Sequence, residues 1–164
     1  MSIGDIIVLE QSSMTGRGAR LYNVAANTAV INPGEPVCFG IGGQVTVVPA
    51  PTNFPVTSSD YFVGVAATTS TQTAGTAGTV GVYPVSPMTT YLIKPKVATS
   101  WDTQAEYDAL VGKSVLIDKT SGAFTLLATN PNQSTNGAVV MAMNILEHPG
   151  QVAIAFKASL SDLH

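Results

Sequence analysis

Short apolar runs, each closed off by Gly, Pro, Asn, Asp or Ser, recur along the whole chain, at residues 6–9, 36–39, 45–48, 61–66, 80–85, 91–93, 115–117, 124–127, 139–146 and 152–156. They are too short for buried helices and have the length and punctuation of strands. Val and Thr each occur nineteen times in the 164 residues. Their branched β-carbons crowd the preceding turn of a helix but sit well on a pleated, half-buried surface. The expected fold is therefore all-β, mainly an antiparallel β-barrel or sandwich.

Three connections carry the chemistry of hairpin turns. Phe39-Gly-Ile-Gly-Gly-Gln44 supplies residues that tolerate positive φ, so the chain can reverse between Val37 and Val45. Asp118-Lys-Thr-Ser-Gly122 separates a strand alternating Val115 and Ile117 from one alternating Phe124 and Leu126, which gives both strands one apolar face. In Glu147-His-Pro-Gly-Gln151, Pro149 presets position i+1 of a type II turn and Gly150 takes the positive φ at i+2. Beyond it Val152, Ile154 and Phe156 share a face, with Ala153 and Ala155 opposite, and this last hairpin is expected at the centre of the core.

One short α-helix interrupts the strands, around residues 104–111. Thr103-Gln-Ala-Glu106 matches a capping box, and Gly112 can end the helix in the left-handed conformation. Tyr107, Leu110 and Val111 should form its docking face, with Trp101 as an anchor just before it. Two stretches read as surface loops: the Thr/Gly/Ala tract 68–79, long enough to suggest mobility, and the Pro-rich segment 48–55. Residues 1–27 read as an extended N-terminal arm or edge strand, and residues 28–164 as a β-rich domain. The Lys94-Pro-Lys96 stretch, near 94–100, is where a division into two lobes would fall.

Composition narrows the function. Charged residues make up 10% of the chain, against roughly 25% in ordinary globular domains. Neutral polar residues and glycine take their place, so the surface is cheap to desolvate against a partner. The net charge of −3 and the absence of a dense basic cluster argue against nucleic acid as a partner. No apolar run approaches the roughly 18 residues needed to span a bilayer, which excludes a membrane-crossing helix. The first ten residues lack a basic stretch followed by a cleavage site, and the lone Cys38 cannot form an intramolecular disulfide. The chain reads as soluble and made inside the cell.

The stock of reactive groups is small. His148 sits in a turn, His164 ends the chain, and Cys38 lies in an apolar strand where a thiol packs as a small hydrophobe. Gly112-Lys113-Ser114 ends like a phosphate-binding loop, but Tyr107 stands where that motif needs its first Gly, and the helix precedes the Gly. Gly40, Gly42 and Gly43 make a turn, not a dinucleotide fingerprint. Asn132-Gln-Ser134 matches a glycosylation sequon that only a secreted chain would use. No Cys, His or carboxylate cluster has metal-ligand spacing. The expectation is a protein that is not an enzyme, with no catalytic residue, no cofactor and no metal. A sugar-binding module, stacking glycans on exposed aromatics, is a rival. Trp101 and Tyr107 read as core, which leaves Tyr22, Tyr83 and Tyr91 as candidate exposed rings.

Phe62-Val-Gly-Val-Ala66, then a polar loop, then Ala77-Gly-Thr-Val-Gly-Val-Tyr-Pro-Val85, resembles the small head proteins of tailed bacteriophages that decorate or cement the capsid. The C-terminal half is similar to the same class. It runs from Trp101-Asp-Thr-Gln-Ala-Glu-Tyr-Asp-Ala-Leu-Val-Gly112 through Val115-Leu-Ile-Asp118, Gly122-Ala-Phe-Thr-Leu126 and Asn136-Gly-Ala-Val-Val140 to Pro149-Gly-Gln-Val-Ala-Ile-Ala-Phe156. The likeness covers about two thirds of the chain.

The resemblance implies a structural virion protein, made in the host cytoplasm, that binds the capsid exterior and clamps neighbouring subunits of the major capsid protein. It further implies a homo-oligomer, with a trimer favoured, and an N-terminal arm that orders on the shell. Here that arm corresponds to residues 12–20, and the candidate capsid contacts are Thr15, Gly16, Arg17, Gly18, Arg20 and Tyr22, the arginines pairing with acidic capsid groups. The alternatives are a tail or baseplate structural protein and a carbohydrate-binding module for host attachment.

Overall fold

The computed structural model describes residues 6–11, 18–48, 62–85, 89–97, 101–120, 123–127 and 137–157, with the backbone alone for 7–11, 41, 119 and 120. The strands are β1 Ile7–Gln11, β2 Arg20–Val24, β3 Pro36–Phe39, β4 Val45–Val47, β5 Phe62–Ala66, β6 Gly78–Pro84, β7 Thr89–Ile93, β8 Ser114–Thr120, β9 Ala123–Leu127, β10 Ala138–Val140 and β11 Val152–Phe156. The helix α1, Gln104–Asp108, lies between β7 and β8. The strands form two sheets, a six-stranded one in the order β1-β7-β11-β10-β8-β9 and a five-stranded one in the order β2-β6-β5-β3-β4. Neighbouring strands pair antiparallel throughout. The fold is all-β and sandwich-like, and neither sheet closes as a barrel among the described residues.

The larger core lies where the sheets meet. Phe62 of β5 packs on Phe156 of β11 with ring centroids 4.7 Å apart, and Phe156 meets Tyr91 of β7 edge-on at 5.0 Å. Ile93, Ile117, Phe124, Leu126 and Ile154 extend this core across the six-stranded sheet. Alternation explains the sidedness: Val115 and Ile117 on β8, Phe124 and Leu126 on β9, and Val152, Ile154 and Phe156 on β11 all face inward. As expected from the sequence, β10 and β11 occupy the middle of their sheet.

A second, smaller core of Val24, Ile31, Val37, Val45, Val63, Ala66, Val80 and Val82 fills the other side of the five-stranded sheet. That sheet curls until its outer strands β2 and β4 touch. A bulge in β5 makes both cores possible. Val37 pairs with Gly64 and Cys38 with Phe62, so Val63 is an extra residue in the strand. Phe62 and Val65 therefore share the larger core, while Val63 and Ala66 join the smaller one. Only glycine fits at position 64, because a β-carbon there would lie 2.0 Å from the Tyr83 carbonyl oxygen.

The turns between 37 and 45 and between 117 and 124 close hairpins as their sequences require. In the second, β8 and β9 run on to Thr120 and Ala123, a longer ladder than the Asp118–Gly122 turn implied. The turn at His148-Pro149-Gly150-Gln151 also forms: Gln151 N donates to His148 O at 3.1 Å, and Gly150 has φ 72°.

Four expectations need correction. The apolar run 139–146 is strand only to Val140 and then becomes a loop. At that point the Tyr107 hydroxyl enters the ladder, donating to Met141 O at 2.7 Å and accepting from Ala153 N at 3.1 Å. The helix is shorter than 104–111: α1 ends at Asp108 and turns carry the chain to Gly112 (φ 80°), leaving Val111 exposed. Its capping box, the burial of Tyr107 and the packing of Leu110 and Trp101 are as expected.

The Thr/Gly/Ala tract is no free loop. Ala67 N donates to Gly81 O, Thr71 N to Thr79 O, and Thr73 and Thr76 bridge across Ala74-Gly75. Ser70 and Gln72 are buried: Ser70 Oγ accepts from Ile31 N at 2.8 Å, and Gln72 Nε2 donates to Ala29 O at 2.8 Å. Hydroxyl and amide side chains here do the work of a strand partner. Finally, Tyr91 is wholly buried and is not an exposed ring. Residues 49–55 of the Pro-rich stretch lie outside the described residues.

Candidate interaction surface

The N-terminal segment supplies one outer strand of each sheet, β1 on the six-stranded and β2 on the five-stranded. Among the described residues β1 pairs with β7 alone, so one edge of its backbone faces away from the sheet. Such an edge is a template for another strand, and a register shift between Val8 and Glu10 bends it. Of the candidate contacts, Thr15, Gly16 and Arg17 lie outside the described residues. Gly18 is exposed just before β2, and Arg20 opens β2, half-buried. Tyr22 also lies on β2, but its ring packs edge-on against Phe39 at 6.1 Å and against the smaller core. Gly18, Arg20 and Tyr22 thus share one sheet edge, with Tyr22 turned to a structural task.

Several titratable side chains are bound into the fold. Lys96, just past β7, forms an ion pair with Asp118 of β8, whose side chain is 7% exposed. This pair secures a strap in which Lys96 N donates to Leu126 O at 2.9 Å and Leu126 N to Lys94 O at 2.7 Å. Burial pushes the Tyr91 hydroxyl well above its ordinary range, partly offset by Thr89, and it donates to Pro84 O at 3.3 Å. Burial likewise raises Tyr107, against the lowering effect of the Ala153 N–H. Glu106 is held below its ordinary range, first by the Thr103 hydroxyl and then by Asp102. The amides that would cradle a phosphate at Gly112-Lys113 are engaged, Gly112 N with Val140 O and Lys113 N with Leu110 O.

Cys38 is half-buried against the larger core, and His148 is half-buried in its turn. His164 and the sequon at 132–134 lie outside the described residues. Among the described residues no three His, Cys, Asp or Glu side chains cluster as a metal site, and no helix is long and apolar enough to cross a membrane. Trp101 packs on the core, and Tyr22 and Tyr83 are half-buried.

Sequence reasoning missed two features of this surface. Leu146 and Leu21 are among the exposed large hydrophobics, at 81% and 76%. Leu146 was hidden inside an apolar run that reads as strand; the interruption at Asn144 was the available signal. Leu21 alternates with Arg20 and Tyr22, which marks it as lying on the opposite face of β2 from both.

No protein-family model, curated protein or solved structure matches this chain.

Proposed function

We propose that this chain is a structural virion protein that decorates the exterior of a tailed-phage capsid, clamps neighbouring subunits of the major capsid protein and acts without catalysis. The observation that carries the reading is that, among the described residues, β1 pairs on one side only, and that it precedes in sequence the segment the resemblance marks as a shell-binding arm. A capsid strand adding to that edge would satisfy its outward N–H and C=O groups, and Arg17 of the arm would meet carboxylates of the shell. Two of the segments that carry the resemblance are neighbours in space: β5 and β6 pair at Gly64–Pro84, Val65–Tyr83 and Ala66–Val82. A ligand that binds only the assembled lattice stabilises it by mass action, and many copies multiply the effect.

The test is copy number in purified virions, read by quantitative mass spectrometry. Hundreds of copies per particle are expected. A handful per particle would instead indicate a tail or baseplate part. Absence from particles together with glycan binding would favour the carbohydrate-binding module.

A further inference from the structure

Lys96 and Asp118 are 22 residues apart in the chain, and the backbone holds both in place before their side chains meet. Asp118 lies within the β8–β9 ladder, directly opposite Thr125. Lys96 is pinned along the other edge of β9, where Lys96 N donates to Leu126 O and Leu126 N to Lys94 O. The Lys96 side chain therefore reaches across β9 to set its Nζ against Asp118 Oδ2. Thr125, on the strand between them, shares a sheet face with Asp118, since directly opposed residues of an antiparallel pair point the same way. Its Oγ1 is buried and has no hydrogen-bond partner among the described residues. A buried hydroxyl left unpaired costs free energy, and an acceptor formed beside it would recover that cost.

The surroundings of the two charged groups differ. The Asp118 side chain is 7% exposed and that of Lys96 39%. The carboxylate is poorly hydrated, which favours passage of a proton from the ammonium and leaves a neutral amine against a neutral acid. The open side of Lys96 gives released water a way out.

We propose that Lys96 and Asp118 condense into an isopeptide bond. Lys96 Nζ attacks Asp118 Cγ, an N–C bond forms as one C–O bond breaks, and that oxygen leaves as water. An ammonium and a carboxylate enter, and one neutral amide and one water result, so no oxidant or activating co-reactant is needed. The Thr125 hydroxyl donates to the oxygen that carries the charge of the tetrahedral intermediate, and then to the amide carbonyl. Groups fixed in this way react at effective molarities of about 10⁵–10⁸ M, which carries amide formation past the hydrolysis that prevails between free partners. The bond closes residues 97–117, α1 included, into a covalent ring and removes loop freedom from the unfolded chain. This inference goes beyond the proposed function and does not depend on it.

The experiment is tryptic peptide mapping of the purified full-length chain by mass spectrometry. Trypsin should fail to cut after Lys96. The peptide Ser114-Val-Leu-Ile-Asp-Lys119 should appear joined to the one containing Lys96, lighter by one water, about 18 Da. Asp118→Asn should give the same link with loss of ammonia. Lys96→Arg keeps the positive charge but removes the amine, and should release the free Ser114–Lys119 peptide and lower the melting temperature. Recovery of that free peptide from the unaltered chain, with cleavage after Lys96, overturns the proposal. So does a water loss confined to Ser114–Lys119, which marks a succinimide at Asp118. Neither result bears on capsid decoration, which is read from particles.

Discussion

The two sheets are buried by different means. The six-stranded sheet presses Tyr91, Phe124, Phe156 and a set of isoleucines and leucines into one core with Phe62 of the other sheet. The five-stranded sheet curls around valines, and among the described residues its own core buries Val24, Ile31, Val37, Val45, Val63, Ala66, Val80 and Val82. It makes up the difference with a polar strap, 67–77, whose Ser70 and Gln72 reach inward to the backbone at 29–31. Large apolar side chains stabilise the first region through area and packing, while the second depends on hydrogen-bond geometry and on backbones that approach too closely for any side chain.

Several substitutions would break or sharpen that contrast. The largest effect is expected at the junction of the sheets: Phe156→Ala should cost about 3–5 kcal/mol, measured by urea denaturation, because the cavity it leaves is walled by Phe62 and Tyr91. Next comes Gly64→Ala, at about 3 kcal/mol, since the new methyl group meets the Tyr83 backbone and either the bulge or β6 must shift. A loss below about 1 kcal/mol would mean that the bulge relaxes freely, contrary to the two-core account.

Tyr107→Phe should cost about 1–3 kcal/mol, by leaving Met141 O and Ala153 N without their partner at the point where β10 departs from β11. Ser70→Ala should cost about 1–2 kcal/mol, and a neutral result would demote the polar strap to decoration of a sheet that stands without it. The pH response should be asymmetric. Tyr91 and Tyr107 have raised pKa values in the fold, so their stabilisation is complete below the ordinary value of 10.0 and is lost as pH rises beyond it. Melting temperature should fall in alkali, and less so in Tyr91→Phe. The smallest effect is at Glu106, whose lowered pKa makes its contribution present above its ordinary value of 4.5 and lost as pH falls below it. Thr103→Ala should weaken that acid response, leaving the part due to Asp102 and the backbone.

The same contrast explains what could be read without coordinates. Where large apolar residues alternate, as at Val115 and Ile117, Phe124 and Leu126, or Val152 to Phe156, the strands and their inward faces follow directly from period-two spacing. The capping box at Thr103 and the Pro149-Gly150 turn were legible for the same reason, since each is a local device with fixed spacing. Residues 68–77 were not, because a segment held by hydroxyls and a glutamine amide has no apolar period. The end of β10 was hidden as well: Val139, Val140, Met141 and Ile145 look continuous, and what stops the strand is Tyr107, more than thirty residues earlier in the chain. The expectation of an arm or edge strand over residues 1–27 has its counterpart in β1 and β2, each at the edge of a sheet. The exposure of Leu146 could not be read in this way, because it depends on Gln104 of α1, which accepts from Ile145 N and donates to Met143 O.

The most direct test of the proposed capsid role is the rupture temperature of purified tailed-phage capsids, stripped of the chain and then supplied with it again. The account predicts that DNA release, followed with an intercalating dye, moves to higher temperature as the chain is added and levels off when the shell is covered. Release at the same temperature with and without the chain, under conditions where the chain is shown to be bound, would contradict it.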